Sequence, residues 1–397
     1  MKKLISPVVL LLSLLGARNT AFAQAGSLDP TFGNGGIVQT NFSGFTSSGA
    51  VLTANGDIVV SGSLNFPPTP VLVRYRPNGA LDASFGSNGL LVLPLPTGLV
   101  LGMTIQSDGK LLLLFESTSE QNFLVRFNSD GQLDSSFASN GEVLVDFPKP
   151  TGYLFSSVNL LSLQSDGKIL LTGTVTPPRR STLPGLLVLA RYLQNGAPDV
   201  TFGNGGVTEP AAPIGFPTAV SFSGSNILVG DYMGEIAEFS ATGALLQTSP
   251  AMQFIVNFGQ PATFLSDGEL LAGATVASPE LFKDSADTVV NRYNLSGLVA
   301  SSTAIRLRPD APFVSNSPTL LGVDSNGRIA VNVQTSSRTG NAGGLARLNA
   351  DGTLDTHFGT QGIAITPAGV TFNVLLVQPN NDLILVGGNT LARYLGQ

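Results

Sequence analysis

The stretch LVRFNSDGQLDSSFASNG, Leu124–Gly141, returns in variant form along almost the whole chain. Two incomplete copies lie at the ends: SLDPTFGNGG (Ser27–Gly36) holds only the back half, and TLARYLGQ (Thr390–Gln397) only the front half. Joining the ends would restore one more full repeat. A row of independent domains has no reason to divide a unit between its termini, whereas a closed ring uses the division to join its first and last units. The pattern therefore predicts a ring.

Three elements recur in fixed order within each repeat. The first is a pair of apolar runs around Asn-Gly or Asp-Gly, as in IQSDGKLLLLF (Ile105–Phe115), which is the strongest short hairpin signal. The second is a strand that ends in Arg and a bulky residue, and the third is an LDxSFG connection followed by another strand. The Arg position recurs seven times at a mean period of about 53 residues, with Glu238 in a degenerate fourth copy: Arg74, Arg126, Arg191, Glu238, Arg292, Arg347 and Arg393.

Each period holds four short strands, and two of them are apolar on both faces and must be covered on both sides. A β-propeller achieves this by packing each four-stranded blade between two others. Kelch-like repeats, at about 50 residues, are close to this period. We predict an all-β, seven-bladed β-propeller over residues 24–397, with four-stranded blades and with residues 24–45 completing the C-terminal blade. A parallel β-helix is the structural alternative, but its shorter coils would not explain the divided repeat.

The recurring DGK…LVRYNxDGxLDxSFG pattern resembles the delta-60 repeat family of bacterial proteins. The resemblance covers essentially the whole chain after residue 23; it is specific for four or five units and weak over roughly Phe216–Arg306. It implies a β-propeller and brings no established activity with it.

The first 23 residues have the features of a signal peptide. Lys2 and Lys3 precede the apolar run Leu4–Leu15, and Ala21-Phe22-Ala23 gives the small-x-small pattern of a cleavage site. The apolar run is shorter than the roughly 20 residues that span a bilayer. We expect cleavage after Ala23, with a second register two residues later, and export to the periplasm or the extracellular space without membrane insertion.

Composition narrows the chemistry that the chain can perform. Without residues 1–23 it has 17 basic and 26 acidic side chains, a net charge of 17 − 26 = −9, so nucleic acid is not an expected partner. The absence of cysteine excludes disulfides, cysteine-ligated zinc and thiol chemistry. The single histidine, His357, replaces the Ser or Thr of sister LDxSFG turns, so we interpret it as neutral drift at a turn. We expect a monomer without a cofactor.

The order of the strands predicts two different faces. The SDGK and LDxSFG turns fall on one face, which we call the regular face, and the connections between second and third strands and between blades fall on the other, the irregular face. The loops of the irregular face are rich in proline and aromatic residues, such as FPKPTGYLF (Phe147–Phe155) and TPPRRSTLPG (Thr176–Gly185). We interpret this face as the binding face, although insertions also accumulate where packing tolerates them. The candidate ligand contacts are Tyr153, Arg179, Arg180, Asp231 and Arg308.

Three functions are compatible with these features. The first hypothesis is a non-catalytic binding or scaffold module that recognises a protein or a glycan through the irregular face. The second is a carboxylate- or calcium-dependent hydrolase or lyase at the channel mouth, with Asp146, Asp231 or Glu235 as candidates. The third is a structural component of an envelope or matrix. The recurring Arg and Asp of the repeat are expected to form a structural pair around the ring rather than a set of active sites.

Overall fold

The computed structural model describes residues 24–179, 181–211, 216–231, 235–249, 261–277, 286–294, 299–305, 315–336 and 342–397. In this part of the chain, 27 strands form the seven antiparallel blades of a β-propeller. No helix that could span a membrane occurs among these residues.

The strands follow one another in chain order from the inside to the outside of each blade. Strand β1 (Ile37–Gln39) comes before blade 1, and the first three blades are blade 1, β2 (Phe45–Leu52), β3 (Ile58–Leu64), β4 (Thr69–Tyr75) and β5 (Leu90–Val92); blade 2, β6 (Gly98–Ile105), β7 (Leu111–Ser117), β8 (Asn122–Phe127) and β9 (Glu142–Val145); and blade 3, β10 (Phe155–Leu163), β11 (Ile169–Thr176) and β12 (Leu186–Tyr192). Blade 4 contains β13 (Pro217–Ser223), β14 (Asn226–Asp231), β15 (Ile236–Phe239) and β16 (Leu245–Thr248), and blade 5 contains β17 (Ala262–Phe264), β18 (Leu270–Ala277), β19 (Ala286–Tyr293) and β20 (Val299–Ile305). Blade 6 contains β21 (Ser315–Val323), β22 (Ile329–Ser336), β23 (Ala342–Leu348) and β24 (Ile363–Thr366), and blade 7 contains β25 (Val374–Val377), β26 (Leu383–Gly387) and β27 (Thr390–Tyr394). In blade 3, the outer position is held by isolated bridges from Val207 and Ala211 to β12.

The middle strands of the regular blades are largely apolar on both faces because both faces meet another blade. In β3, Ile58 and Val60 pack towards Ile384 of blade 7, whereas Val59 between them packs towards Leu111 of blade 2. Alternate side chains of one strand therefore belong to two different cores. This arrangement confirms the prediction made from the uninterrupted apolar runs.

The Asn-Gly and Asp-Gly turns join the first two strands of the blades, as predicted. At Gly109, the φ angle is +84°, a left-handed conformation that glycine adopts without strain, and its N–H donates to the carbonyl of Gln106. Blade 7 has no glycine at this point, and Asn381 takes the same conformation at φ +68°. Asparagine tolerates this region better than other side chains do.

The Arg and Asp of the repeat form a buried pair within the blade. In blade 2, Arg126 Nε donates to Asp134 Oδ2 at 2.7 Å, and the guanidinium lies 4.5 Å from the centre of the Phe137 ring. The other Asp134 oxygen accepts hydrogen bonds from the backbone N–H and hydroxyl of Ser136. Arg126, Asp134 and Phe137 thus form one packed unit, which we call the latch.

Each latch also holds the next blade. Arg126 Nη1 donates to the carbonyl of Gln194 in blade 3 at 2.7 Å. The Phe137 ring lies beneath Gly196 of the same turn, where a Cβ atom would come within 2.8 Å of the ring. The equivalent Arg-to-carbonyl bonds in other blades are Arg74 to Ser129, Arg191 to Ala241, Arg347 to Gly396 and Arg393 to Pro77. The repeat is therefore a device that joins neighbouring blades.

The ring closes through the N-terminal segment, as predicted from the divided repeat. Strand β1 pairs antiparallel with β27, with Val38 opposite Leu391, and becomes the outer strand of blade 7. Gly26 N–H donates to the carbonyl of Leu395, and Leu395 N–H donates to Ser27, which rebuilds the turn that is continuous in the other blades. Blade 7 consequently consists of both ends of the chain.

Blades 4 and 5 depart from this pattern, as the weak repeats there predicted. Glu238 replaces the latch Arg in blade 4 and accepts hydrogen bonds from Asn226 and Gln247 of its own blade. In blade 5, Arg292 keeps the bond to the next blade, at the carbonyl of Ala350, but pairs with Asp267 and Glu269. Only part of the latch is therefore present in this region of the ring.

Candidate binding face

The innermost strands of the seven blades surround the axis of the propeller. Each is the first strand of its blade and pairs with the second strand, so its other edge faces the central channel; of these described strands, β21 alone also makes a parallel bridge, from Ser315 to Ala286 of β19. Neighbouring innermost strands are in contact around the ring, and β25 contacts β2 where the ring closes. Because each of these strands begins after a loop between blades, its first residues lie at the irregular face and form the channel mouth.

A β-bulge interrupts five of the innermost strands at equivalent positions. The extra residues are Ser48, Leu101, Asn159, Thr218 and Thr319. A bulge leaves one residue unpaired and changes the direction of its side chain. Some of these side chains are held by the neighbouring strand: Asn159 Oδ1 accepts from the Thr174 hydroxyl at 3.2 Å, and the Thr319 hydroxyl accepts from Asn332 at 2.7 Å.

The described innermost strands of the channel wall contain no ionisable side chain. None of the seven innermost strands, within the bounds given above, includes Asp, Glu, Lys, Arg or His. Their polar residues are Ser, Thr and Asn, which donate and accept hydrogen bonds without carrying a charge. General acid–base chemistry needs a titratable group within hydrogen-bond reach of the substrate, and this wall supplies none.

Large apolar side chains are exposed along one arc of the mouth. They are Leu99, Leu101, Phe155 and Phe216, with exposed fractions of 46%, 36%, 54% and 46%. Leu99 and Leu101 lie on β6, Phe155 begins β10, and Phe216 immediately precedes β13. Contacts of β10 with both β6 and β13 place these side chains on adjacent strands. We call the four residues the apolar lip.

The loops of blade 3 support this lip. The Tyr153 hydroxyl donates to the carbonyl of Pro184 at 2.9 Å and so joins the loop before β10 to the loop after β11. Leu154 and Leu183 are exposed beside this bond, and Arg179 is an exposed cation in the same pair of loops. Tyr153 and Arg179, which the sequence singled out, therefore lie next to the apolar lip.

The other predicted contacts have different surroundings. Asp231 ends β14 and is completely buried, and its Oδ1 accepts a hydrogen bond from the backbone N–H of Glu235. Arg180 and Arg308 lie outside the described residues. Among the carboxylates proposed for catalysis, Asp146 is mostly exposed and pairs with Lys149 at 2.6 Å, whereas Asp231 and Glu235 are hydrogen-bonded to each other in blade 4. The described residues contain no group of three or more His, Asp or Glu placed to hold a metal ion.

Ionisable groups with strongly shifted pKa values belong to structural positions. Hydrogen bonds from Ser84 lower the pKa of Asp82 in the blade 1 latch to about 2, and Arg74 adds to the effect. Burial alone would raise the pKa of Asp134, but hydrogen bonds from Lys110 and Ser136 outweigh it and lower the pKa. Burial raises the pKa of Tyr75 to about 12. These shifts describe the packing of the ring rather than a reacting centre.

A second concave region lies at the outer rim of the propeller, away from the channel. This cavity of about 860 Å³ is bounded by the ends of β20 and β24 and by the segment Gln24–Ser27, which lies on the turn at Gly359. Its described lining has no ionisable side chain. His357, on the regular face, is almost fully exposed, and its Nδ1 is 3.7 Å from Asp355 Oδ1.

Comparison with protein families gives one match. A family described as a domain of unknown function (DUF5122) β-propeller matches residues 53–85, 106–137 and 325–358. The three stretches lie in blades 1, 2 and 6, and each begins near the first hairpin turn and ends at the latch Phe. The match supports a β-propeller repeat family. No curated protein sequence matches the chain significantly.

Several solved propellers are similar in fold over nearly the whole chain. The YCF48 structure with a bound D1 peptide is 12% identical, covers 96% of this chain and 100% of that chain, and gives a TM-score of 0.54. A catalytically inactive virginiamycin B lyase from Staphylococcus aureus, solved with quinupristin, is 12% identical, with coverage of 90% and 97% and a TM-score of 0.52. BamB from Moraxella catarrhalis is 14% identical, with coverage of 88% and 85% and a TM-score of 0.45. At these identities the likeness shows the fold alone.

The apolar lip was not found from the sequence, although a signal for it exists. The position two residues before the bulge is Thr46 in blade 1, Ser157 in blade 3 and Ser317 in blade 6, but Leu99 and Phe216 in blades 2 and 4. Aligning the innermost strands on their bulges would have made these two residues stand out. The innermost strand carries no motif of its own, so that alignment needs the pairing register.

Proposed function

We propose that this protein is a non-catalytic binding or scaffold propeller that recognises another protein through the channel mouth on the irregular face. The apolar lip is the observation that carries the proposal. Exposed apolar side chains that lie together, unlike single ones, are a feature of interaction sites. Of the candidate contacts, Tyr153 and Arg179 lie beside the lip, Asp231 is completely buried, and Arg180 and Arg308 lie outside the described residues.

The composition of the channel wall favours binding over catalysis. Propellers of similar fold include both a peptide complex and a lyase, so the fold does not decide between the two. A hydrolase or lyase at the mouth would have to draw its acid and base from the loops, since the innermost strands supply neither. A protein ligand needs only shape, apolar area and hydrogen-bonding groups, all of which are present.

Export belongs to the same proposal. The features of residues 1–23 support removal of a signal peptide after Ala23 and a periplasmic or extracellular location. The latch, with its Arg, Asp and Phe in five blades, supports placing the repeats in the delta-60 family. Mass spectrometry of the protein recovered from the periplasm and the medium tests the cleavage site and the compartment: an intact N-terminus in the cytoplasm would contradict export.

A selection from a random twelve-residue peptide phage library tests the binding function. Three proteins are compared: the wild type, the lip variant Leu99→Ser/Phe155→Ser/Phe216→Ser, and the control Val92→Ser/Ile365→Ser. The control removes apolar side chains with exposed fractions of 52% and 68% from outer strands. We expect enriched peptides to bind the wild type and the control but not the lip variant. Peptides that bind all three proteins equally, or no enrichment at all, would contradict the proposal.

A further inference from the structure

Building on the proposed binding function, we propose that the partner enters the channel mouth as an extended, uncharged polypeptide segment with a large apolar side chain on the apolar lip. The juxtaposition of this lip with an uncharged hydrogen-bonding wall points to that chemistry. It names the class of partner segment, which the binding function alone does not.

The uncharged channel wall disfavours charged side chains in the partner segment. A charged side chain that enters the mouth loses hydration, and none of the seven innermost strands offers a counter-charge to offset the loss. Burying an unpaired charge is among the most unfavourable events at an interface. A segment without charged side chains avoids this cost.

The polar side of the mouth suits a peptide backbone. Thr46 precedes the bulge of β2, and Asn373 immediately precedes β25; both are exposed, although each already makes hydrogen bonds within the ring. Hydroxyl and amide groups retain further donor and acceptor capacity after one bond. The N–H and C=O groups of an extended segment can use this capacity while its apolar side chain contacts Phe155 or Phe216.

Charged residues lie outside the wall rather than in it. Glu116 of β7 is directly opposite Leu99 in the β6–β7 pairing, and Arg179 lies in the blade 3 loop. The two carry opposite charges and are on different blades, so this pair does not favour one sign of ligand charge. A preference for a basic segment would contradict the inference and would point to Glu116 as the residue that attracts it.

The test uses three fluorescein-labelled, terminally blocked peptides and measures fluorescence anisotropy. The first is Gly-Ser-Leu-Phe-Leu-Ser-Gly, and in the other two both serines are replaced by Asp or by Lys. We expect the uncharged peptide to bind the wild type about tenfold more tightly than either charged one, a difference of about 1.4 kcal/mol. Because Thr46 is exposed, a positive charge can be introduced there: in Thr46→Lys, the affinity for the Asp peptide should rise towards that for the uncharged peptide.

The results distinguish the inference about charge from the proposed binding function. If the Asp or Lys peptide binds the wild type as tightly as the uncharged peptide, the inference about charge is wrong. The proposed function would stand in that case if the lip variant still loses binding and the Val92→Ser/Ile365→Ser control keeps it. If none of the three peptides binds the wild type, the inference is also overturned, and the phage selection alone then decides the proposed function.

Discussion

Arg393 Nε donates a hydrogen bond to Asp29 Oδ2 at 2.8 Å, although 364 positions separate the two residues in the sequence. In blades 1, 2, 3 and 6 the same pair is eight positions apart. The geometry is therefore a repeated one, and only the connection of the chain differs. Blade 7 uses the latch of an ordinary repeat to hold the two ends of the chain together.

Removal of Asp29 should loosen the ring at blade 7. In Asp29→Ala, Arg393 remains buried without its carboxylate, and loss of one partner of a buried pair costs roughly 3–5 kcal/mol. We expect faster hydrogen exchange at the β1–β27 amides. Asp199→Ala is the matched control, because it breaks the same pair between residues of one continuous blade. Equal exchange at the β1–β27 amides in the two variants would show that the pair does not secure closure.

Alanine variants of two glycines separate the contribution of packing between the latch and the neighbouring turn from that of backbone strain. Gly131 and Gly109 have φ angles of +86° and +84°, so alanine is strained at both. A Cβ atom at Gly131 would meet Leu91 and the Phe85 ring of the preceding blade, whereas at Gly109 it would meet nothing within 4 Å. We expect Gly131→Ala to lower the free energy of unfolding by about 1–3 kcal/mol more than Gly109→Ala does. Equal losses in urea denaturation would contradict the role of this contact between blades.

Acid should destabilise the propeller through its latch carboxylates. The folded-state pKa of Asp82 is about 2, and those of Asp29, Asp134 and Asp199 are also lowered. A lowered folded-state pKa gives stability that is present above the unfolded-state pKa, near 4, and is lost as the pH falls through the folded-state pKa. The free energy of unfolding should therefore fall as the pH decreases from about 4 to about 2. Urea denaturation across this range measures it.

A substitution provides the control for this pH dependence. In Asp82→Asn, the side chain no longer titrates, so we expect a shallower fall of stability with decreasing pH than in the wild type. A wild-type stability that is constant down to pH 2, or a variant with an unchanged slope, would show that these carboxylates do not control acid unfolding.

The sequence predicted those features that one repeat contains within itself. Arg126 and Asp134 stand eight positions apart in a recurring motif, and the divided motif at the termini indicated how the ring closes. The contact of Phe137 with Gly196 could not be predicted in this way, because it joins the motif of one blade to the turn of the next. The repeat pattern marked Phe137 and Gly196 as recurrent, but only the packing of adjacent blades shows that they are in contact.

Only the face of the propeller that carries the candidate site could be predicted from the sequence. Proline and aromatic residues indicated the irregular loops, and the structure places Tyr153 and Arg179 there. Phe155 was part of one of these loop sequences, but its exposure and that of Phe216 depend on where the innermost strands begin and on the bulges that follow. Hydrophobic residues at strand starts are ordinarily buried, so their composition alone carried no signal.

Site-specific photo-cross-linking with a peptide from the phage selection tests the central claim, recognition at the channel mouth, most directly. Benzoylphenylalanine would be placed at Phe155 on the apolar lip and, in separate proteins, at Ile365 on an outer strand and at His357 on the regular face; all three side chains are exposed. The account predicts a cross-link from position 155 and none from positions 365 and 357. A cross-link from either of those positions, with none from position 155, would contradict it.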